Sequence, residues 1–277
     1  IIVVNDGSTD GTLAVVERFA KQDERILVIN KNNGGVASAR NVGVGAATGK
    51  YVFQIDGDDW IEPGYFKAMY DFAEQENLDI VLADHYFDDL DGKRIYNREM
   101  VNINVPVFSN QEYWREFFTY GFFIHSDKLI KRKLYIDNGI EYPIDVKIGE
   151  DAVVICKLIY FAKKIGRINQ AYFHYARRPN SAMTASTYYS RAVENYKICK
   201  YLQSFFTDKP DFHTADFLDW QIVQLYNLAV YGGNEWAQKE FVNWSKSCRR
   251  EISNRSVNKY SRIMQRFPYL WLFKIVV

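Results

Sequence analysis

Apolar and polar positions alternate in two different periods along the first hundred residues. Four short apolar runs, rich in β-branched residues, predict strands at 1–4, 26–29, 51–55 and 79–83. Stretches with apolar residues at helical spacing separate these runs, at 10–22, at 36–47 and from Pro63 onward. Continuous apolar strands that alternate with helices are typical of an α/β protein whose mainly parallel sheet is covered on both faces.

The pattern turns mostly helical after about residue 110. Helices are predicted at 111–118, 126–138 and 151–164, and two short strands at 165–168 and 171–175. From residue 188 onward only helical or loop patterns occur, and residues 208–216 have the composition of a linker. We therefore predict an α/β domain over residues 1–185 and a helical extension over residues 186–277.

Composition narrows the class of protein. The 277 residues are 48% hydrophobic and 25% charged, and their formal net charge is +1, which gives no general case for nucleic-acid binding. Three widely separated cysteines favour a reducing, cytoplasmic compartment. No apolar run reaches the roughly 20 residues of a membrane-spanning helix. The chain opens directly into a strand without Met or a signal peptide, so we expect a fragment whose natural N-terminus lies upstream.

Polar residues follow the first three predicted strands, at 5–8, 30–35 and 56–59. In open parallel sheets, ligands bind outside the carboxyl ends of the strands. The simplest alternative is that loops are polar and that Asn, Asp and Gly form turns. That alternative does not account well for Asp56, Asp58 and Asp59, because three carboxylates within four residues repel one another unless a cation is present.

A divalent cation would relieve this repulsion. Mg²⁺ and Mn²⁺ prefer oxygen ligands and are usually held by one or two carboxylates together with substrate phosphates. The Asp56–Asp58 pair has that chemistry, so we expect Mn²⁺ or Mg²⁺ and a diphosphate-containing substrate. The sequence has neither a GxxxxGK[ST] loop nor a GxGxxG after its first strand, which disfavours a P-loop NTPase and a dinucleotide-binding fold of the usual kind.

Four segments together resemble the family 2 glycosyltransferases of the GT-A fold. They are NDGSTDGT, NGGVASARNVGVGAATGKYVFQIDGDDW, GED at 149–151 and YFHYARRPNSAM, and they run in the expected order from residue 1 to about 185. The resemblance implies a nucleotide-sugar donor, most simply a UDP-sugar, a divalent metal and inversion at the anomeric carbon. It also implies an acceptor hydroxyl on a glycan or a lipid-linked glycan, in the assembly of cell-surface polysaccharide.

The resemblance also assigns roles to individual residues. On the donor side, Asp6 contacts the nucleotide base, Arg40 lies near the nucleotide, Asp56 lies near the ribose, and Asp59 lies behind the metal or against the sugar. Asp58 binds the metal, with His174 as a second metal or phosphate contact. Asp151 is the catalytic base. Arg177 and Arg178 belong to a late loop that closes over the diphosphate.

Each of these roles has a simpler structural alternative. Asp151 could merely cap the helix that begins after Gly149-Glu150. His174 alternates with aromatic residues in a strand, where a lone histidine is often structural, and the arginine pair could belong to a solvated loop. Glu150 either bonds nearby backbone or contacts the acceptor.

Two departures from the family pattern bear on function. An earlier strand that ends in a Pro-x-Tyr-Asn-like segment is absent, so we expect the donor pocket of this chain to lack one wall. A Trp-Asn-Lys-Leu-type stretch that generally faces the acceptor reads Ser126-Asp127-Lys128-Leu129 here. Lys128 is therefore, together with Glu150, a weak candidate for contact with the acceptor.

The last thirty residues are basic and end in an aromatic, apolar tail. A cationic helix with such a tail fits an anionic membrane surface, so segment 246–277 could hold the protein peripherally on the inner face of the plasma membrane. A solvated face with a packed tail is an equally good interpretation. Two other functions also remain open, a non-catalytic module that binds sugar nucleotides and a nucleotidyltransferase.

Overall fold

The computed structural model describes the N-terminal half of the chain almost completely and the C-terminal part in pieces. The described residues are 1–88, 93–98, 105–114, 125–176, 178, 181, 186–209, 223, 225–226 and 235–247. The chain divides into two compact units, Ile1–Thr184 and Ala185–Val277. The functional assignment of the second unit stays a prediction.

The first unit begins with a parallel pair of strands and two helices. Strand β1 (Ile2–Asp6) pairs with β2 (Leu27–Lys31) in a register that sets Asp6 opposite Lys31. Helices α1 (Thr12–Ala20) and α2 (Val36–Ala46) follow these strands, as their helical spacing predicts. The carboxyl ends of β1 and β2 therefore meet at one edge, where the polar segments after both strands lie.

A second sheet of seven strands carries most of the core. Its central order is β3-β8-β5-β9-β4, with β6 on β5 and β7 on β9. The strands are β3 (Tyr51–Val52), β4 (Trp60–Ile61), β5 (Ile80–Asp88), β6 (Arg94–Arg98), β7 (Val107–Ser109), β8 (Lys128–Lys131) and β9 (Lys164–Ala176). The helices of this unit are α3 (Tyr65–Glu76), α4 (Arg132–Asp137) and α5 (Glu150–Phe161).

The α/β class is confirmed, but the described sheet is mixed rather than mainly parallel. Within the seven strands only β5 and β9 pair in parallel, and the other described pairings are antiparallel. The predicted helix over 126–138 was wrong in its first half, where β8 forms and α4 follows. Short apolar runs such as the one in β8 fit a strand as well as a helix, and pairing with β3 and β5 decides for the strand.

Two further predictions differ from the structure in their extent. Residues 165–168 and 171–175 belong to one long strand, β9, whose register against β5 shifts between Ala83 and His85. Residues 111–114 are helical, and the rest of the helix predicted at 111–118 lies outside the described residues.

The core forms where α3 packs against the central strands. Tyr65, Met69 and Ala73 of α3 cluster with Val81 of β5 and Phe173 of β9, and all of these are 0% exposed. Helix α5 is also buried over most of its length. Gly166 of β9 allows a close approach, because a Cβ there would lie 2.4 Å from a Leu78 side-chain carbon. This packing fixes the loops that leave the strand ends.

The second unit is described mainly through two helices, α6 (Tyr188–Phe206) and α7 (Glu235–Ser247). Thr187 caps α6 by accepting a hydrogen bond from the Ser190 amide. No helix of the described chain combines the length and apolarity that a membrane crossing requires. Apart from its first two residues, the predicted membrane-associating segment 246–277 lies outside the described residues.

Candidate active site

Asp6 ends strand β1 and is surrounded by donors. Its carboxylate accepts hydrogen bonds from the Lys31 amine and from the amides of Gly34, at 3.0 Å, and Gly35, at 2.8 Å. Burial alone would raise the pKa of Asp6, but these bonds outweigh it and the pKa is lowered. The carboxylate is therefore held ionised at the carboxyl end of the parallel pair.

A cleft of about 480 Å³ opens beside Asp6. Its lining is Asn5, Gly7, Ser8, Leu13, Asn30, Lys31 and Asn32. Gly7 has a φ of +73°, and a Cβ there would lie 2.6 Å from the Asn33 amide nitrogen, so only glycine fits this turn. The cleft is thus built by the two polar segments that the sequence places after β1 and β2.

Arg40 of helix α2 joins two carboxylates that are distant in sequence. One guanidinium nitrogen donates to Asp56 at 2.8 and 3.2 Å, and another donates to Glu150. The side chains of Arg40 and Glu150 are 11% and 6% exposed, whereas Asp56 is 42% exposed. The structure therefore brings the ARN segment, the acidic loop and the GED segment together.

The Tyr142 ring lies against the Arg40 guanidinium, a contact that no sequence motif predicts. The Arg40 guanidinium lies 5.7 Å from the centre of the Tyr142 ring. Asn41 holds the Tyr142 backbone by accepting from its amide at 2.7 Å and donating to its carbonyl at 2.9 Å. Gln54 donates to the Tyr142 hydroxyl at 2.8 Å. Neighbours separated by about a hundred residues leave no local spacing signal.

Asp151 lies in the first turn of α5, which begins one residue earlier than predicted. Gly149, with a φ of +79°, is the N-cap, and no side chain caps the helix. The interpretation of Asp151 as an N-cap was therefore wrong. Its Oδ1 accepts from the Ala152 amide at 3.0 Å, and its Oδ2 lies 3.7 Å from Nδ1 of His125. His125 is a second neighbour that the sequence analysis missed.

Burial raises the pKa values of both acidic residues at the start of α5. For Asp151, desolvation is the largest cause, opposed by the positive charge of Arg40. For Glu150, desolvation is again the largest cause, and the negative charge of Asp151 adds to it. Raised carboxyl pKa values in one place are typical of groups that exchange protons.

The last two aspartates of the acidic loop contact residues at the end of β9 and just beyond it. Asp58 accepts from the Arg178 guanidinium, with the Nε bond at 2.8 Å, and Asp59 accepts from the Ala176 amide at 2.9 Å. Burial, with the charges of Asp58 and Asp56, raises the pKa of Asp59 to about 7, against the opposing effect of the Ala176 bond. Arg177 lies outside the described residues.

Tyr175 indicates that the carboxylates share one region. Burial raises the pKa of its hydroxyl, and the charges of Asp59, Asp58, Asp56 and Asp151 raise it further. The predicted donor side and the predicted base therefore act on the same side chain of β9.

His174 lies two residues before Ala176 and is stacked on Trp60, with ring centroids 4.7 Å apart. Its Nδ1 is hydrogen bonded to the buried Asp88, and its Nε2 lies 3.2 Å from the half-exposed Glu62. A carboxylate on one ring nitrogen orients the other, as in many metal-bound histidines. The metal role of His174 stays a prediction, and Nε2 is the nitrogen that could serve it.

The described side chains fit a metal only if the substrate completes its shell. Within the described ranges, no three His, Cys, Asp or Glu side chains gather closely enough to hold an ion. Asp58 nevertheless faces a cation, the Arg178 guanidinium. Because Mg²⁺ and Mn²⁺ often take one or two carboxylates plus phosphate oxygens, this oxygen donor fits a cation that binds jointly with a diphosphate.

Lys128 is placed differently from the other predicted site residues. It begins β8, is 1% exposed, and donates to Asp127 at 2.6 Å. Its role toward an acceptor stays a prediction, and its burial means that the amine would have to move to reach one.

The helix-flanked mixed sheet with acidic loops at its strand ends is the GT-A architecture. The sequence profile of Glycosyl transferase family 2 matches residues 1–139, and the chain belongs to this family. Glycosyltransferase GlyA of Streptococcus pneumoniae is 31% identical over 188 residues, which cover 65% of this chain and 27% of that protein. EpsJ of Bacillus subtilis, an uncharacterized glycosyltransferase, is 31% identical over 65% of this chain and 53% of its own length.

A third relative is the minor teichoic acid biosynthesis protein GgaB of Bacillus subtilis, 28% identical over 71% of this chain and 21% of its own length. The chain thus spans about half or less of these three relatives. Among solved structures, S. aureus TarS 1-349 in complex with UDP-GlcNAc has a TM-score of 0.59 at 19% identity, covering 95% of this chain and 78% of that one. Full TarS gives 0.64 at 20% identity, covering 97% and 48%. At these identities the likeness shows the shared fold.

Proposed function

We propose that the chain is an inverting glycosyltransferase. It would move a sugar from a nucleotide-diphosphate donor to a hydroxyl of a glycan or a lipid-linked glycan. The observation that carries this proposal is the position of Arg40, which ties Asp56 on the donor side to Glu150, the neighbour of Asp151. A donor-binding group and a candidate base are thereby held at one site.

The donor would lie along the strand ends. Asp6 offers an ionised acceptor beside a cleft large enough for part of a nucleotide. Asp56 accepts from Arg40 but remains 42% exposed, which leaves lone pairs for ribose hydroxyls. Asp59 would contact the sugar or support the metal-binding Asp58.

Asp58 would hold Mn²⁺ or Mg²⁺, with His174 as a further ligand through Nε2. A bound divalent cation would supply positive charge to the departing nucleoside diphosphate. The Arg178 guanidinium donates to Asp58, and its side chain is half-exposed. In the donor complex this guanidinium would turn toward phosphate oxygens, which suit its bidentate geometry. Arg177, its neighbour in sequence, would serve the same diphosphate.

Asp151 would act as the general base. The acceptor hydroxyl attacks the anomeric carbon, its proton passes to the Asp151 carboxylate, and the carbon–oxygen bond to the diphosphate breaks with its electron pair on the leaving group. The attack and the departure occur on opposite faces, so the anomeric configuration inverts. Burial that raises the pKa of Asp151 makes it a stronger base than an exposed aspartate.

The comparisons support the substrate class proposed here. TarS, which shares the fold, binds UDP-GlcNAc in one structure and UDP in another, so a UDP-sugar donor is proposed. One relative is a minor teichoic acid biosynthesis protein, and this supports a cell-surface glycan or a lipid-linked glycan as the proposed acceptor. A cytoplasmic position, with peripheral membrane contact through 246–277, belongs to the same proposal.

A donor-panel hydrolysis assay tests this function. The chain is incubated with UDP-, GDP- and TDP-sugars and Mn²⁺, and release of the nucleoside diphosphate is measured with and without EDTA. Metal-dependent release from at least one UDP-sugar is expected. Binding of UDP-sugars without any release would favour a non-catalytic binding module, and pyrophosphate release from a nucleoside triphosphate would favour a nucleotidyltransferase.

A further inference from the structure

His125 is a buried side chain that the proposed mechanism has not used. It lies three residues before β8 and is 2% exposed. Its ring packs edge-on against Tyr142, with centroids 6.0 Å apart. Neither ring nitrogen has a hydrogen-bond partner among the residues that the structure describes. An unpartnered buried polar group is costly and calls for an explanation.

A carboxylate oxygen of the proposed base lies close to the His125 ring. Nδ1 of His125 lies 3.7 Å from Oδ2 of Asp151, which is about half an ångström beyond the range of an ordinary hydrogen bond. The other oxygen of Asp151 already accepts from the Ala152 amide. Hydrogen bonds of a catalytic group often shorten when substrate binds, so this pair is placed for one.

The surroundings of His125 keep its imidazole neutral. Burial lowers the pKa of His125 to about 3, and the positive charges of Arg40 and Lys128 lower it further. The negative charges of Asp56 and Asp127 oppose this shift. A neutral imidazole has one N–H donor. If that proton is on Nδ1, it faces Asp151.

We propose that His125 is a positioning residue whose Nδ1–H donates to Oδ2 of Asp151 and fixes the orientation of that carboxylate. The proposal rests on the proposed function in one respect, since it takes Asp151 as the base. The donated bond favours the ionised carboxylate, so it keeps Asp151 ready to accept a proton in a site where burial favours the protonated form.

Other charged and titratable groups also face Asp151, and the test must hold them constant. They are Arg40 of α2, Asp56 after β3, Lys128 of β8, Glu150 of α5, and the hydroxyls of Tyr142 and Tyr175. His125→Phe changes none of them and keeps an aromatic ring at this position, but it removes the donor. His125→Asn keeps an N–H donor near the position of Nδ1.

The test is a pH titration of the Asp151 carboxyl by ¹³C NMR in the full chain, with and without UDP and Mg²⁺, and with the resonance assigned by its loss in Asp151→Asn. His125→Phe should raise the pKa of Asp151 by about half a unit to one unit, the effect of one hydrogen bond. His125→Asn should stay close to wild type. No rise in His125→Phe, or an equal rise in His125→Asn, would overturn the proposal.

A second measurement needs no variant and decides the matter if His125→Phe does not fold. ¹⁵N NMR of the wild-type imidazole should show a neutral ring with its proton on Nδ1 from pH 5 to pH 8. A proton on Nε2, or protonation of both nitrogens near pH 6, would contradict the proposal.

Hydrolysis of UDP-GlcNAc with Mn²⁺ by wild type and Asp151→Asn separates this inference from the proposed function. Equal turnover would show that Asp151 is not the base. The NMR measurements test the hydrogen bond between His125 and Asp151 independently of that result.

Discussion

Arg40 and Glu150 form a buried ion pair although 110 positions separate them in the chain. The same guanidinium also holds Asp56. Through these two contacts, Arg40 joins the helix after β2 to the acidic loop after β3 and to the first turn of α5. It brings the ARN, DGDD and GED segments together in one region of the structure.

Arg40→Met should destabilise the protein. The change leaves Glu150 buried without its cation, which costs about 3 kcal/mol in comparable buried pairs. The loss should be smaller at pH 5 than at pH 8, because the raised pKa of Glu150 lets it become neutral. Chemical denaturation measures the free energy of unfolding.

Lys50→Met is the matched control for Arg40→Met, since Lys50 pairs with Glu74 at the surface. That substitution should change the free energy of unfolding by less than about 1 kcal/mol. Adding Glu150→Gln to Arg40→Met should recover part of the loss. Equal effects of Arg40→Met and Lys50→Met would contradict the described pair.

Asp59 should make the stability of the protein depend on pH. Its pKa is about 7 in the folded chain, above the ordinary value of 3.8. A raised pKa contributes stability that is complete below pH 4 and is lost as pH rises through 7. Asp59→Asn removes this loss, so in EDTA it should stabilise the protein at pH 8 by about 2 kcal/mol, after a discount for partial exposure.

The same substitution should have almost no effect on the free energy of unfolding at pH 4, because Asp59 in the folded protein and the asparagine that replaces it are both neutral there. Asp71→Asn, on an exposed helix position, should change the free energy of unfolding by less than about 0.5 kcal/mol at either pH. An Asp59→Asn variant that is destabilised at pH 8 would show that the carboxylate is not desolvated as described.

Asp58→Asn should weaken the binding of Mn²⁺ together with UDP. The substitution removes the carboxylate proposed to hold the cation, and a loss of at least about tenfold in affinity is expected for a missing ligand. Isothermal titration of UDP with and without Mn²⁺ measures it. The metal dependence itself should vanish in Asp58→Asn and persist in Asp71→Asn.

His174→Phe distinguishes a metal ligand from a purely structural residue. Phenylalanine can still stack on Trp60 but offers no Nε2. Mn²⁺ affinity in the presence of UDP should fall by about tenfold. An affinity within twofold of wild type, together with lower thermal stability, would instead assign His174 to the packing of β4 against β9.

Much of this site could be predicted from the sequence because its polar residues directly follow strands. Asp6 and the Asp56–Asp59 loop come immediately after apolar runs, and strand ends are where ligands bind in α/β sheets. The mixed pairing of the sheet could not be predicted in this way. The run in β8 is short enough to suit either a strand or a helix, and only its partners decide.

The neighbours of the predicted site residues could not be predicted from the sequence either. These neighbours come from other elements of the fold: Lys31 lies beside Asp6, Tyr142 against Arg40, and His125 beside Asp151. No periodicity links residues that meet only through tertiary packing. Motifs therefore indicate which groups carry the chemistry, and the fold determines what holds them.

The central claim is that Asp151 removes the acceptor proton at a donor site organised by Arg40 and Asp58. Turnover and binding of the best UDP-sugar from the panel, measured side by side in wild type and Asp151→Asn, test it most directly. Asp151→Asn should bind the donor within about threefold of wild type and lose roughly 10²- to 10⁴-fold in turnover, as expected for a lost general base. Turnover equal to wild type in Asp151→Asn would contradict the claim.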